Sequence, residues 1–254
     1  MPLCLRLVEA TRALDLLVIV PAWNEEASLR GVLRELKSVA PEADVVVVND
    51  GSTDGTARVV REAGTAMLID LPLNLGVGGA MRAGYRFAQR NGYQRAVQVD
   101  GDGQHDPAEI GRLLALLDEG ANLAIGARFA GAGSYRTRGP RRWAMAILST
   151  VLSGVTRTKL TDTTSGFRAC DRHGIELFAT DYPAEYLGDT VEALVIAHRA
   201  GLTIRQVGVK MRARAGGAPS QSPIKAAVFL GRAALALLIA MTRPMASRVR
   251  MEPS

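Results

Sequence analysis

The sequence predicts an α/β protein with a mostly parallel central sheet flanked by helices. Short apolar runs of β-branched character alternate with stretches of helical spacing through the first half of the chain. The polar, glycine-rich runs fall where those apolar runs end, and ligands bind beyond the carboxyl ends of strands in sheets of this kind. Strand–helix–strand alternation with short loops implies parallel strands whose crossover helices cover both faces.

The elements follow in order. Residues 16–20 form an apolar run that ends at Pro21, which reads as a buried strand. Residues 25–40 carry Leu29, Val32, Leu33 and Leu36 at helical spacing. Residues 45–48 read as a second buried strand and 53–63 as a helix. Further strands are expected at 67–71, 96–99 and 123–125, separated by helices over 78–89 and 107–117. After Arg128 the pattern changes. Residues 130–139 form a Gly- and Arg-rich loop, 143–155 an apolar helical stretch, and 161–165 a polar turn. A helix over 187–200 and a strand over 203–211 follow. A loop of small residues at 215–223 then leads into an apolar stretch at 224–241, expected to be an amphipathic C-terminal helix.

With 254 residues, 48% hydrophobic and 22% charged, the chain fits one large domain with a small appendage and is not disordered by composition. Cys4 and Cys170 lack a metal-ligand spacing and read as reduced thiols of a cytosolic protein. Arg6, Glu9, Arg12 and Asp15 interrupt the apolar start, so no secretory signal is expected. No run of about 20 uninterrupted apolar residues predicts a spanning helix. From Thr203 onward Arg205, Lys210, Arg212, Arg214, Lys225, Arg232, Arg243, Arg248 and Arg250 face one acid, Glu252. Such asymmetry points to an anionic partner or to a solvated basic face. Aromatic residues make up only 5% of the chain, which argues against a nucleic-acid stacking platform.

Four strand ends bear polar constellations. In the first, from Pro21 to Glu26, Asn24 and two glutamates open a helix, which suits a base and ribose or a simple N-cap at Asn24. In the second, from Asn49 to Thr56, Asp50 closes a buried strand. An unpaired carboxylate is costly there, so it is expected to meet a ligand hydroxyl or amide unless turn chemistry alone explains it. In the third, Asn74-Leu-Gly-Val-Gly-Gly79 opens a helix whose glycines, Gly79 among them, let backbone approach a ligand. It lacks the dinucleotide-binding spacing and follows the third strand, which disfavours a nicotinamide dehydrogenase. In the fourth, the carboxylates of Asp100 and Asp102 stand two residues apart at the end of a buried strand. They repel unless a cation sits between them. All-oxygen ligation suits Mg²⁺ or Mn²⁺. The ion would bridge a diphosphate and stabilise its charge as it leaves.

These four runs, in this order, resemble family 2 glycosyltransferases of the GT-A fold, the nucleotide-diphospho-sugar transferase fold. They are most similar to the dolichyl-phosphate mannose synthase branch and bacterial polyprenyl-phosphate glycosyltransferases. Gly126-Ala-Arg128, the run from Asp162 to Arg168 and the Arg212-x-Arg214-x-x-Gly217 run extend the likeness. The resemblance covers roughly residues 16–220, which sets the expected boundary: a glycosyltransferase domain over 1–220, and over 221–254 an amphipathic helix and basic tail. It implies that Pro21, Trp23, Glu25, Val48 and Asp50 line a nucleotide pocket. Asp100, Gly101 and Asp102 would contact the nucleotide-sugar and metal, with Gln104 a further metal ligand. Arg128 and Arg214 would hold acceptor and donor phosphates, and Arg168 is a looser candidate for the acceptor phosphate. Two departures leave base and sugar open: Asn49 stands where the family has the first Asp of Asp-Asp-Gly-Ser, and Pro219-Ser220 where the mannose synthases have Ser-Lys.

The activity this implies is an inverting, metal-dependent transfer of a hexosyl group from a GDP- or UDP-linked sugar to a polyprenyl phosphate. A sugar or small-molecule hydroxyl is the alternative acceptor. It would need a carboxylate base, for which Asp189 and Glu192 are candidates. A nucleotidyltransferase would carry a basic, glycine-rich loop after its first strand, and none is there. A non-catalytic anionic-lipid-binding module would leave Asp100 and Asp102 unexplained. Residues 224–241, interrupted by Arg232, and 143–155 fit helices resting on an anionic membrane surface, or core, homodimer or integral-membrane-partner contacts instead. The expected location is the cytoplasm, peripheral on the cytoplasmic face of the membrane.

Overall fold

The computed structural model describes residues 15–128, 140–183 and 189–212, with the side chains of 140–147 and of Asp189 outside that description. Seven strands form one sheet: β1 (Leu16–Ala22), β2 (Asp44–Asp50), β3 (Met67–Leu71), β4 (Arg95–Gln98), β5 (Leu123–Ala127), β6 (Arg168–Asp171) and β7 (Ile204–Gly208), in the order β3-β2-β1-β4-β6-β5-β7. β1, β2, β3 and β4 pair in parallel, as do β5 and β7. β6 runs antiparallel between β4 and β5.

The helices are α1 (Glu26–Val39), α2 (Thr56–Ala63), α3 (Gly76–Asn91), α4 (Ile110–Asp118, preceded by a 3-10 turn at Pro107–Glu109), α5 (Pro140–Thr156), α6 (Arg172–Asp181) and α7 (Asp189–Arg199). Alternate residues of each strand enter opposite layers. Leu17, Ile19, Val46, Val48 and Ile125 face α3, α6 and α7, whereas Val18, Val20, Val47, Val97 and Ala124 face α1, α2 and α4. That is why the strands read as continuous apolar runs: both faces are dry.

Among the described residues the expected strands and helices are present with shifted ends. α2 begins at Thr56 rather than at 53, because Asp54 Oδ1 accepts the Thr56 N–H (2.9 Å) and residues 51–55 are spent in the turn. β6 and α6 were not expected. Arg168-Ala-Cys-Asp171 is only four residues long and lacks β-branched side chains, so nothing local marks it as a strand. Its place comes from neighbours on both sides, and α6 then packs on α3 through the ring cluster of Tyr85, Phe178 and Tyr182.

The stretch expected at 143–155 lies within α5. Leu148 and Leu152 are buried in the α3/α6/α7 layer while Val151 points outward, so at least one face is a core face. Among the described residues no helix is long and apolar enough to cross a membrane. Cys170 is a free, buried thiol whose pKa burial pushes far up, beside the Asp171 charge that adds to the rise. Cys4, the 130–139 loop, Arg214 and the 224–241 stretch lie outside the described residues.

Candidate active site

The antiparallel insertion of β6 places the start of that strand beside the ends of β4 and β5. Arg168 pairs with Ile125, and the Gly126 N–H donates to Phe167 O (2.9 Å). The turn before β6 therefore joins the loops after β1, β2, β3, β4 and β5 on one rim of the sheet.

The loops after β1 and β2 are locked together. Asn24 adopts a left-handed backbone (φ 55°), a conformation asparagine tolerates better than most residues. Its Oδ1 accepts the Thr53 N–H (2.9 Å), and its own N–H donates to Ser52 Oγ (2.9 Å). The N-cap of α1 is Glu25, without a side-chain cap bond, so Asn24 is an inter-loop tie rather than a cap. Trp23 stands half exposed on this rim (50%), next to Pro21 and the partly buried Glu25.

Asp50 is buried, and its Oδ1 accepts the Leu75 N–H (2.7 Å). Burial pushes its pKa up against the opposing N–H bonds from Leu75 and Gly76. The carboxylate expected to meet a ligand thus tethers the entry to α3 through one oxygen. Gly51 (φ 64°) completes that junction; a Cβ there would lie 2.6 Å from Asn74 N. Two expectations change here. Val48 is fully buried in the core, so only its backbone can reach a nucleotide. At Gly79 a Cβ would lie 2.5 Å from Leu75 Cβ, so packing within the α3 entrance already requires glycine.

Asn49, in the place of the family's aspartate, is 4% exposed, and its Nδ2 donates to Asp70 Oδ1 (2.7 Å) on the facing position of β3. Asp70 Oδ2 accepts from Arg61 Nη2 (2.7 Å). An aspartate at 49 would face a second carboxylate directly across the strand pair. Asn49→Asp is expected to destabilise the fold by about 1 kcal/mol, with Asp70→Asn restoring most of the loss. Urea unfolding of the two single variants and the double variant measures the coupling. Additive losses would refute it.

The loop after β4 is held from three sides. Asp100 Oδ1 accepts from Gln98 Nε2 (2.9 Å), and Oδ2 lies 3.5 Å from His105 Nε2. The Asp100 N–H donates to His105 Nδ1 (3.0 Å), which leaves the ring proton on Nε2, facing the carboxylate. His105 is buried and stacks on Phe167 (centroids 4.8 Å apart). Asp102 Oδ1 accepts the Gln104 N–H (3.0 Å), closing the turn that presents both carboxylates. Gly101 packs against the end of β1, 3.3 Å from Pro21 O by the position of an added Cβ, and Ser28 Oγ lies 2.8 Å from its carbonyl oxygen. Sequence reasoning passed over Gln98. Its signal was a polar residue in a buried strand two positions before Asp100, and residues two apart share a face.

The arginines behave differently from expectation. Arg128 does not present an unengaged fork to a phosphate. Its Nε and Nη2 grip Asp162 (2.7 and 3.0 Å), and Nη2 also donates to Thr164 Oγ1 (2.6 Å). Asp162 is fully buried (0%); burial would raise its pKa, but the Arg128 contacts outweigh this and hold it below the usual carboxylate range. Arg168 is buried as well (2%), with Nε and Nη2 donating to backbone carbonyls of the preceding turn and Nη1 unpartnered, so it does not present an exposed fork to an acceptor phosphate. Arg212, in the run expected to contact phosphates, forks onto Glu35 (2.6 Å twice) and reaches Asp106 (2.8 Å). Its N–H donates to Gln104 O (3.0 Å), and Met211 bridges His105, so the chain after β7 returns alongside the Asp100–Asp102 loop. Glu192 is buried in α7, and a buried side chain is not available as a solvent-facing base.

Asp100, Asp102 and Gln104 offer only oxygen donors, the set hard divalent cations take. Among the described residues no group of three or more His, Cys, Asp or Glu side chains could hold an ion. By donor type, Asp100, Asp102 and Gln104 are residues that would suit a Mg²⁺- or Mn²⁺-type ion.

Comparison with known proteins bears on the family and the fold. The chain is 34% identical over 169 residues to polyprenol monophosphomannose synthase of Mycolicibacterium smegmatis, covering 63% of each. It is 35% identical over 161 residues to undecaprenyl-phosphate mannosyltransferase of Micrococcus luteus, covering 60% of this chain and 65% of that one. The chain thus spans less than two thirds of the length of these two relatives. Glucosyl-3-phosphoglycerate synthase of Mycobacterium tuberculosis, solved with Mn²⁺, uridine diphosphate and phosphoglyceric acid, superposes with a TM-score of 0.67 at 24% identity. That match covers 91% of this chain and 80% of that one, and shows a common fold. The profile of Glycosyl transferase family 2 matches residues 17–178, and the chain belongs to that family.

Proposed function

We propose that this protein transfers a hexosyl group from a nucleotide-diphosphate sugar to a polyprenyl phosphate, with inversion at the anomeric carbon. The observation that carries this reading is the Asp100–Gln104 loop at the rim of the sheet, where Asp100 is held by Gln98 and Asp102 accepts the Gln104 N–H, so two carboxylates stand two residues apart on one hydrogen-bonded turn. The names of the relatives from M. smegmatis and M. luteus support the choice of a polyprenyl phosphate acceptor.

Asp100, Asp102 and Gln104 would hold a Mg²⁺- or Mn²⁺-type ion, which when bound supplies a Lewis acid for the departing diphosphate. Trp23 and the loops after β1 and β2 form the rim on which base and ribose would rest, with Glu25 and the Pro21 backbone beside them. Gln98 and His105 keep the Asp100 carboxylate aimed, so it would need little reorganisation to take a cation. A phosphate oxygen is already an anionic nucleophile, so the acceptor needs positioning rather than a strong base. Arg214 and the basic residues that follow it would supply charge for donor or acceptor phosphates and for an anionic membrane surface on the cytoplasmic side, whereas Arg205 and Arg212 are paired with acids.

The deciding experiment is release of nucleoside diphosphate from a panel of GDP- and UDP-sugars, with Mg²⁺ or Mn²⁺, with and without polyprenyl phosphate. Release that requires both metal and lipid phosphate supports the reading and names the donor. Turnover on a water-soluble hydroxyl acceptor, with none on lipid phosphate, would replace it by the soluble-acceptor alternative.

A further inference from the structure

Arg168 is among the largest buried side chains of the protein, and among the described residues no carboxylate pairs with it. Its Nε donates to Ser165 O (2.8 Å) and its Nη2 to Thr163 O (3.3 Å), while Nη1 finds no partner among the described residues. A guanidinium taken out of water without a counter-ion is costly, and two peptide carbonyls compensate only in part. That cost secures a two-point grip on one turn, which a planar fork can hold and a point charge cannot.

The turn it grips touches both halves of the site. On one side, Asp162 and Thr164 take the fork of Arg128. On the other, Gly166 lies against the Asp100 loop: an added Cβ would be 2.9 Å from Gln98 Nε2 and 3.4 Å from Asp100 Oδ2. Gln98 in turn holds Asp100 Oδ1. Gln206 on β7 braces the start of the same turn, accepting the Thr161 N–H (2.6 Å) and donating to Asp162 O (2.8 Å). We infer that Arg168 is a positioning residue: by clamping the 162–166 turn it sets the spacing between the Asp100 carboxylate and the Arg128 guanidinium, and touches neither substrate.

This inference rests on the proposed transfer for its kinetic arm but not for its binding arm. Two variants of the full chain test it. Arg168→Lys keeps the charge and loses the two-point grip. Gly166→Ala keeps the grip but pushes the flexible end of Gln98 away from Asp100, at little cost to the fold. Mn²⁺ affinity, followed by electron paramagnetic resonance with uridine or guanosine diphosphate present, is expected to weaken about tenfold in each, as for loss of an outer-shell partner. In turnover, kcat is expected to fall about 100-fold in Arg168→Lys, for transfer and for acceptor-independent donor hydrolysis alike, with the acceptor KM unchanged. A rise in acceptor KM alone would make Arg168 an acceptor ligand and overturn the inference. A lower melting midpoint with unchanged Mn²⁺ affinity and unchanged kcat per folded molecule would reduce it to a structural residue. Wild-type protein that binds Mn²⁺ yet turns over no donor would refute the proposed function, and the Mn²⁺ comparison would still decide the role of Arg168.

Discussion

Asp102→Ala is expected to abolish metal-dependent release of nucleoside diphosphate, with a loss of about 1,000-fold or more, equivalent to roughly 4 kcal/mol of transition-state stabilisation. The reason is local. Asp102 contributes one of only two carboxylates in a donor set that has no third acidic or histidine member among the described residues. Its Oδ1 also accepts the Gln104 N–H, so the alanine loses a charge and a turn contact together. Asp102→Asn separates the two effects, because an amide oxygen can still accept that N–H. If the charge matters, Asn behaves almost like Ala in turnover and in Mn²⁺ binding, and unfolds at nearly the wild-type midpoint. An Asp102→Asn enzyme with wild-type turnover would show that Asp102 serves the turn and not the ion.

Arg128→Met carries the largest expected loss of stability. It leaves Asp162, fully buried, without the cation that faces it, and breaking a buried pair from one side costs about 3–5 kcal/mol. For a domain of this size that corresponds to a fall of roughly 10 °C in the melting midpoint. The pH dependence follows from the direction of the shift. In the wild type Asp162 has a folded pKa below its unfolded value near 3.9. Its contribution is therefore fully present above about pH 4 and is lost as the pH falls through the lower folded pKa. In Arg128→Met the guanidinium is gone while burial and the N–H bonds from residues 128 and 164 stay, so the carboxyl pKa rises relative to wild type. The deficit against wild type should shrink as the pH drops toward about 4 and Asp162 takes up a proton. Thermal melts of wild type, Arg128→Met, Asp162→Asn and the double variant between pH 4 and 8 would show this. The double variant should recover part of the single-variant loss at pH 7. A deficit that stays constant with pH would mean that Arg128 stabilises by packing alone.

Both predictions depend on loops whose chemistry could be read from the chain, though their partners could not. The run from Asp100 to Gln104 was legible because two carboxylates two residues apart at the end of an apolar strand have few uses besides a cation. The strands over 16–22 and 44–50 were legible from continuous β-branched runs. β6 was not, since four residues carrying an arginine, an alanine, a cysteine and an aspartate become a strand only between β4 and β5. Asn24 looked like a helix cap because its local sequence permits one. The left-handed backbone that turns it toward Ser52 and Thr53 is imposed by the loop after β2.

By itself the sequence determined the alternation of strand and helix, the rim on which polar residues gather, and the residue types able to hold a divalent ion. These follow from period, apolar content and side-chain chemistry, all of which act over a few residues. Tertiary structure decided where each charge is spent. Arg128 lies 34 residues from Asp162, and Arg212 lies 177 residues from Glu35. The carbonyls that hold Arg168 are near in sequence, but its burial (2%) is decided by the fold around β6. An arginine's charge is local, while its partner and its dielectric surroundings are set by which elements the fold brings together.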